Sequence, residues 1–249
     1  MRFRMAFKTD AIVLHSRALA NADRLYDVLS PADGRLTVFA KSAAKSNSKM
    51  AGHLAPFAHV RLMLGRGHRD HVAGAATVDS YRELRESWSH FILASSLVEL
   101  IMRFNVPGLA AQEEFDLLKS AFDLLRYGDT SERDKVLVAR IFLWKLIALA
   151  GWKPDLDQCA SCRQLLSNGR VYYISPKGFV CSQHGSNGMM LEGAFLPFLK
   201  KVLDKEMRAL LLEPITSEVS HDWFELSQRY YQDVIGHPLQ SLKFFPYLA

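Results

Sequence analysis

The feature that most constrains this chain is a change of hydrophobic period near residue 82. Upstream, apolar side chains recur near every second position, in short runs broken by turn residues, the pattern of half-buried strands. Downstream they recur every three to four positions, the pattern of amphipathic helices. Such a chain is α+β and multidomain, with a small β domain first and helices after it.

The β third predicts strands at 9–15, 23–30, 35–40, 59–64 and 73–81. Pro31-Ala32-Asp33-Gly34 predicts a hairpin with its turn at Asp33-Gly34. Residues 41–56 are rich in Ser, Ala and Lys and read as a loop with little apolar anchoring. Four or five short strands in this length fit a small barrel of the OB type. Helices are predicted at 88–104, stopping near Asn105-Val106-Pro107-Gly108, at 113–127 before Gly128, and at 131–150 before Gly151. Helical period returns at 191–212 and 220–235, and the aromatic tail at 244–248 is expected to pack on the helices. The resulting division is an OB-fold DNA-binding domain at 1–81, a helical domain in two parts at 82–151 and 189–249, and a zinc-binding insertion at 152–188.

All three cysteines lie in that insertion. An odd number packed this closely is not a disulfide framework. Cys159 and Cys162 form one two-ligand knuckle, and eighteen residues later Cys181 and His184 form another. Zn²⁺ takes four tetrahedral nitrogen or sulfur ligands, and paired knuckles at this separation are the zinc-ribbon pattern, with 172–174 and 178–180 as the intervening hairpin. Four protein ligands close the shell, and there is no His-x-Glu pair of the kind a zinc deaminase uses, so the expected role is structural. The competing reading is three buried cysteines and an ordinary surface histidine.

Charge is distributed unevenly. Residues 1–80 hold twelve Lys/Arg against six Asp/Glu, and the remainder holds nineteen against twenty. The excess points to a polyanion partner for the β domain, or to a solvated basic face. An OB barrel binds single strands through a basic groove and aromatic platforms. The candidate DNA-binding residues are Arg24, Arg35, Lys41, Lys45 and Lys49, the last three spaced to share one face if the loop turns helical. Tyr26 and Phe39 are candidates for stacking or for core. A second basic cluster, Arg66, His68, Arg69 and His71, reads equally well as a solvated turn. Binding through phosphates predicts strong salt dependence and little sequence preference. No Walker A loop and no Gly-x-Ser-x-Gly elbow occurs, so a non-enzymatic protein is expected. No apolar run approaches a membrane span and the N-terminus lacks the core of a signal peptide, which predicts a cytoplasmic, nucleoid-associated protein.

Three stretches resemble the RecO family of DNA-repair proteins. The first runs from Thr9-Asp10-Ala11-Ile12-Val13-Leu14 through Asn21-Ala22-Asp23-Arg24-Leu25 and Gly34-Arg35 to Ala40-Lys41-Ser42-Ala43-Ala44-Lys45. The second is His53-Leu54-Ala55-Pro56-Phe57. The third, and most specific, is Leu149-Ala150-Gly151-Trp152-Lys153-Pro154-Asp155-Leu156-Asp157-Gln158-Cys159-Ala160-Ser161-Cys162. Ser42 and Arg163 stand where the family commonly has glycine, which predicts a less sharp bend at Ser42, and His184 stands where many members have cysteine. Some members lack the zinc ligands altogether. The resemblance implies an OB barrel, a helical domain and a zinc-finger insertion. It implies binding of single- and double-stranded DNA and annealing of strands coated by single-strand-binding protein, whose acidic C-terminal tail the helical domain contacts. It also implies help, with RecR, in loading RecA. The alternative is a zinc-ribbon adaptor or transcription-type factor, which would carry its basic character near the ribbon. Residues 152–188 hold only four Lys/Arg.

Overall fold

A computed structural model describes residues 6–45, 48–67, 69–126, 131–166 and 169–237. The chain separates into two compact units, 1–129 and 130–249.

The first unit begins with β1 (Ala6–Ala18), β2 (Arg24–Ser30), β3 (Gly34–Ala40), a short helix α1 (Lys49–His53), β4 (His59–Gly65) and β5 (His71–Asp79). These strands close a barrel in the order β1-β2-β3-β5-β4, the expected OB-type architecture. β1 is long because it serves two neighbours. Its first half pairs with β4 and its second with β2, the exchange falling at Ile12. Closure is by a parallel contact between β3 and β5 at Phe39 and His71, where the Phe39 N–H donates to the Asp70 carbonyl at 2.9 Å.

Strand alternation sends Ala11, Val13, Tyr26, Val28, Val38, Val60, Leu62 and Leu64 into one interior. Each fully buried aliphatic side chain of this kind contributes about 1.5–3 kcal/mol. Residues 41–56 differ from expectation. Ala43 and Leu54 are buried in the barrel's core and Met50 packs against it, so the segment is anchored by apolar contacts.

The β2–β3 turn spans Pro31–Asp33, and Gly34 pairs with Ser30 at φ +66°. A Cβ at Gly34 would sit 1.8 Å from the Leu109 carbonyl oxygen, so the position needs glycine for close approach as well as for backbone. Leu109 belongs to the connection between α3 (Trp88–Phe104) and α4 (Gln112–Leu125), which follow a short α2 (Glu83–Glu86). Aromatic contacts join barrel and helices: Phe57 meets Phe91 and Phe122 at 5.4 and 5.7 Å, and Tyr81 meets Phe122 at 5.4 Å. Arg126 clamps Asp79 with two hydrogen bonds, at 2.6 and 3.2 Å, while the Tyr81 hydroxyl donates to Asp123. The expected C-terminal end of this helix, Tyr127 and Gly128, lies outside the described residues.

The second unit opens with α5 (Glu132–Ile147), capped by the Ser131 side chain, which accepts from the Asp134 N–H. A π-type turn over Ala148–Trp152, with Gly151 at φ +85°, ends it. Then come β6 (Val171–Ile174), β7 (Gly178–Cys181) and β8 (Met189–Leu191), forming a sheet in the order β7-β6-β8. The predicted hairpin is present, and β8 is an addition to it. The predicted helical stretch at 191–212 starts late, because Leu191 belongs to β8, and is two helices, α6 (Phe195–Asp204) and α7 (Met207–Leu210), parted where Lys205 and Glu206 take extended backbone. α8 (Ser217–Ile235) completes the unit, with Trp144 of α5 donating its indole N–H to Ser227 at 2.9 Å. The tail at 244–248 lies outside the described residues.

Candidate metal centre and nucleic-acid surface

The strand register sorts the candidate cations. Arg24 lies opposite Ala40, so Arg24 and Lys41 stand at one end of the β2–β3 ladder. Arg35 lies opposite Leu29 near the hairpin turn, about 20 Å from Lys41 along β3. Lys45 stays with the first group, because the Ala44 N–H donates to the Ala22 carbonyl at 2.9 Å. The Lys49 backbone begins α1, and its side chain lies outside the described ones. Residues 41–45 form turns rather than a helix in this structure.

Partners differ as well. Lys41 and Lys45 are exposed and have no ion pair among the described residues. Arg24 donates to the Ser16 hydroxyl at 3.2 Å. Arg35 is half-buried and donates to the Met102 carbonyl at 2.8 Å, where it satisfies the C-terminal end of α3. Elsewhere on the barrel, Arg17 pairs with Asp27 at 3.5 Å and Arg61 with Asp10 at 2.9 Å. Arg66 of the second cluster pairs with Asp70 at 3.3 Å and lies over the Phe7 ring. Arg69 and His71 are exposed, and His68 lies outside the described residues. Tyr26 is buried in the barrel interior and offers no stacking face, whereas Phe39 is half-buried.

Ser42 holds the turn between Lys41 and Lys45 at φ +53°. The sharp, left-handed bend is present without glycine, contrary to expectation, and the Asp23 carboxylate supports it by accepting from the Ser42 N–H at 2.6 Å. The same substitution recurs at Arg163, φ +63°.

Arg163 adjoins the second candidate site. Cys159, Cys162, Cys181 and His184 bring one donor atom each to within 4.8 Å of one another, a set that could hold a metal ion. The Cys162 and Cys181 sulfurs are 3.9 Å apart, and His184 Nδ1 lies 3.3 Å from the Cys181 sulfur and 4.0 Å from that of Cys159. Cys159 is buried, Cys162 and Cys181 are half-buried, and His184 is exposed on a 3₁₀ turn. The Ser161 and Cys181 N–H groups each donate to the Cys159 sulfur at 3.4 Å. Burial pushes the Cys159 thiol up, but the N–H donors of Cys162, Cys181 and Ser161 outweigh it and hold the thiol at about 6.

One feature of this region has no signal in the sequence. Asp233 of α8 accepts from both the Tyr173 and Ser175 hydroxyls, fixing the hairpin to the helix from some sixty residues away. Together with burial, which is the larger influence, that carboxylate raises the Tyr173 phenol well above its ordinary value.

Comparison with known proteins covers nearly the whole chain. Residues 4–81 match the family described as Recombination protein O N terminal, and residues 85–243 match Recombination protein O C terminal. A protein of Dehalococcoides mccartyi named DNA repair protein RecO is 34% identical over 178 residues, covering 70% of this chain and 68% of its own. One of the same name from Desulforamulus reducens is 29% identical, covering 86% and 85%. Another, from Shouchella clausii, is 27% identical over 98% of this chain and 95% of its own. With both family regions matched in order across the barrel and the helical part, the chain belongs to the RecO family of DNA-repair proteins.

Proposed function

We propose that this chain is a non-enzymatic mediator of recombinational repair. It binds single- and double-stranded DNA, anneals complementary strands coated by single-strand-binding protein, and with RecR helps load RecA. The observation that carries the reading, beside family membership, is the pair of exposed lysines, Lys41 and Lys45, with no ion pair among the described residues, next to Arg24 at one end of an OB barrel. Cations already paired to carboxylates release few counterions from DNA, whereas unpaired ones release about one each. Neutralising phosphates on one strand lowers its repulsion from a second, and that is all annealing requires of these residues. Arg35 serves mainly to cap α3, with a smaller share in DNA contact, and Lys49 remains a further candidate for DNA contact.

The helical part, 82–151 with 189–249, is the natural seat for the acidic tail of single-strand-binding protein, and the barrel at 1–81 for DNA. On this reading the protein works in the cytoplasm at the nucleoid. Among the described residues no helix is long and apolar enough to cross a membrane.

The ion that suits the insertion at 152–188 is Zn²⁺. Three thiolates and an imidazole are its preferred donors, and Zn–S bonds of about 2.3 Å set tetrahedral sulfurs roughly 3.8 Å apart. The 3.9 Å between Cys162 and Cys181 fits that spacing. Cys159, Cys162, Cys181 and His184 would hold the ion with no ligand position left for substrate, so it supplies local folding and no chemical step.

The test is annealing of two complementary oligonucleotides coated with the cognate single-strand-binding protein, without nucleotide. The protein is expected to accelerate it. The double variant Lys41→Glu/Lys45→Glu is expected to lose at least about tenfold in DNA affinity, with a salt slope shallower by about two. Arg35 is left intact because reversing it would break the α3 contact. Unchanged affinity in the double variant would overturn the site. Salt-dependent binding without annealing would reduce the protein to a DNA-binding module.

A further inference from the structure

The two knuckles differ in how their sulfurs are held. Cys159 is buried, and two backbone N–H groups point at its sulfur. Cys162 and Cys181 are only half-buried, lie on opposite knuckles, and stand 3.9 Å apart on the side of the site where His184 is exposed. A disulfide needs about 2.05 Å between sulfurs, so the two must approach by about 2 Å, a distance two side-chain rotations can share. Both sit where the chain can yield: Cys162 is in a turn, and Cys181 is the last residue of β7. The sequence contains no fourth cysteine that could resolve an oxidised sulfur.

We infer that the metal centre is a redox switch: under peroxide, Cys162 and Cys181 close into a disulfide and the ion is released. The inference rests on the zinc reading above. One thiolate of the pair attacks a peroxide oxygen; the O–O bond breaks, hydroxide leaves and takes up a proton as water, and the sulfur becomes a sulfenic acid. The second thiolate attacks that sulfur, forming the S–S bond and expelling the sulfenic oxygen as a second water after protonation. Two thiolates, one peroxide and two protons thus give one disulfide and two waters, with the two electrons passing from sulfur to peroxide. The ion then has one thiolate and one imidazole left, too few to retain it. Because the new bond spans the two knuckles, it keeps them together, and a thiol reductant can restore the site.

The experiment uses the full chain. Bound zinc is first measured in the reduced protein, and hydrogen peroxide is then added while released zinc is followed with a colorimetric chelator. The expected result is one zinc per chain before oxidation, its release in step with a mass loss of two hydrogens, and a cross-linked peptide joining Cys162 to Cys181. Reductant plus zinc should reverse all three. Cys159→Ser should still yield the same cross-link. Zinc absent at the outset would overturn the metal reading and the switch with it. Zinc present but retained under peroxide, or released with single-sulfur oxidation or a cross-link through Cys159, would overturn the switch alone.

Discussion

The barrel and the cysteine insertion are both small β structures, yet they are held together differently. The barrel closes on an interior of aliphatic side chains, with Val28, Val38, Val60, Leu62 and Leu64 fully buried. The insertion, with β8 beside it, has a three-stranded sheet with strands of three or four residues and few buried apolar side chains among the described residues: Leu156, Val171, Tyr173, Phe179, Val180 and Leu191. So few buried residues supply little hydrophobic stabilisation, and on the proposed zinc reading the four candidate donors hold the knuckles where the core does not. On that reading, burial suffices where enough strands meet, and ligation serves where they do not.

Removing the metal should break that contrast most visibly. Structural zinc is worth on the order of 10 kcal/mol in isolated fingers. Chelation is expected to speed amide exchange strongly through the two knuckles, 157–166 and 181–188, and leave exchange in the barrel unchanged. Equal loss of protection in the barrel would show that the two regions are not independently held.

A smaller effect tests the barrel side. His59 is buried against Phe115 at 5.4 Å, and neither ring nitrogen has a hydrogen-bond partner among the described residues. Burial, the largest influence, lowers its pKa, opposed by Asp10 and Asp79 and assisted by Lys119 and Arg61. Above the unfolded value of about 6.5 the ring is neutral in both states and contributes no pH dependence. As pH falls through 6.5 the unfolded chain takes up a proton that the folded chain resists, so stability declines with acid. His59→Phe should remove this decline and, by eliminating an orphaned polar group, add about 1 kcal/mol at neutral pH. Thermal unfolding of both proteins between pH 5.5 and 7.5 decides it, and parallel curves would refute the assignment.

The smallest effects compare the regions directly. Ser42 in the barrel loop and Arg163 beside the knuckle both hold left-handed backbone. A non-glycine residue there costs about 1 kcal/mol, partly offset by the entropy glycine loses on folding. Ser42→Gly and Arg163→Gly should each stabilise by a few tenths of a kcal/mol to about 1, read as a rise in unfolding temperature. A fall at Ser42 would show that its side chain carries the turn.

What could be read from the sequence was what depends on local period and spacing. The helix α3 was legible to both ends, 88–104, because seventeen residues give a long apolar stripe closed by Asn105 and Pro107. The knuckles were legible because two-residue spacing allows two ligands from one turn. β8 was not, since three residues show no period, and the break between α6 and α7 has no glycine or proline to mark it. Arg35 read as a free cation because its acceptor, Met102, lies sixty-seven residues away, and of the two readings left open for Tyr26 by alternation, stacking or core, the barrel interior holds it. Pairing across such distances is a property of the packed molecule.

Asp233 has a consequence for how this insertion can change over evolutionary time. Its carboxylate holds Tyr173 and Ser175 on α8, and β8 flanks β6, so the hairpin keeps its place by means that do not involve the metal donors. A lineage that lost a cysteine would forfeit the knuckles while the strands stayed attached. On the proposed zinc reading, loss of the metal is therefore a step such a protein can survive, provided the acceptor on α8 is kept.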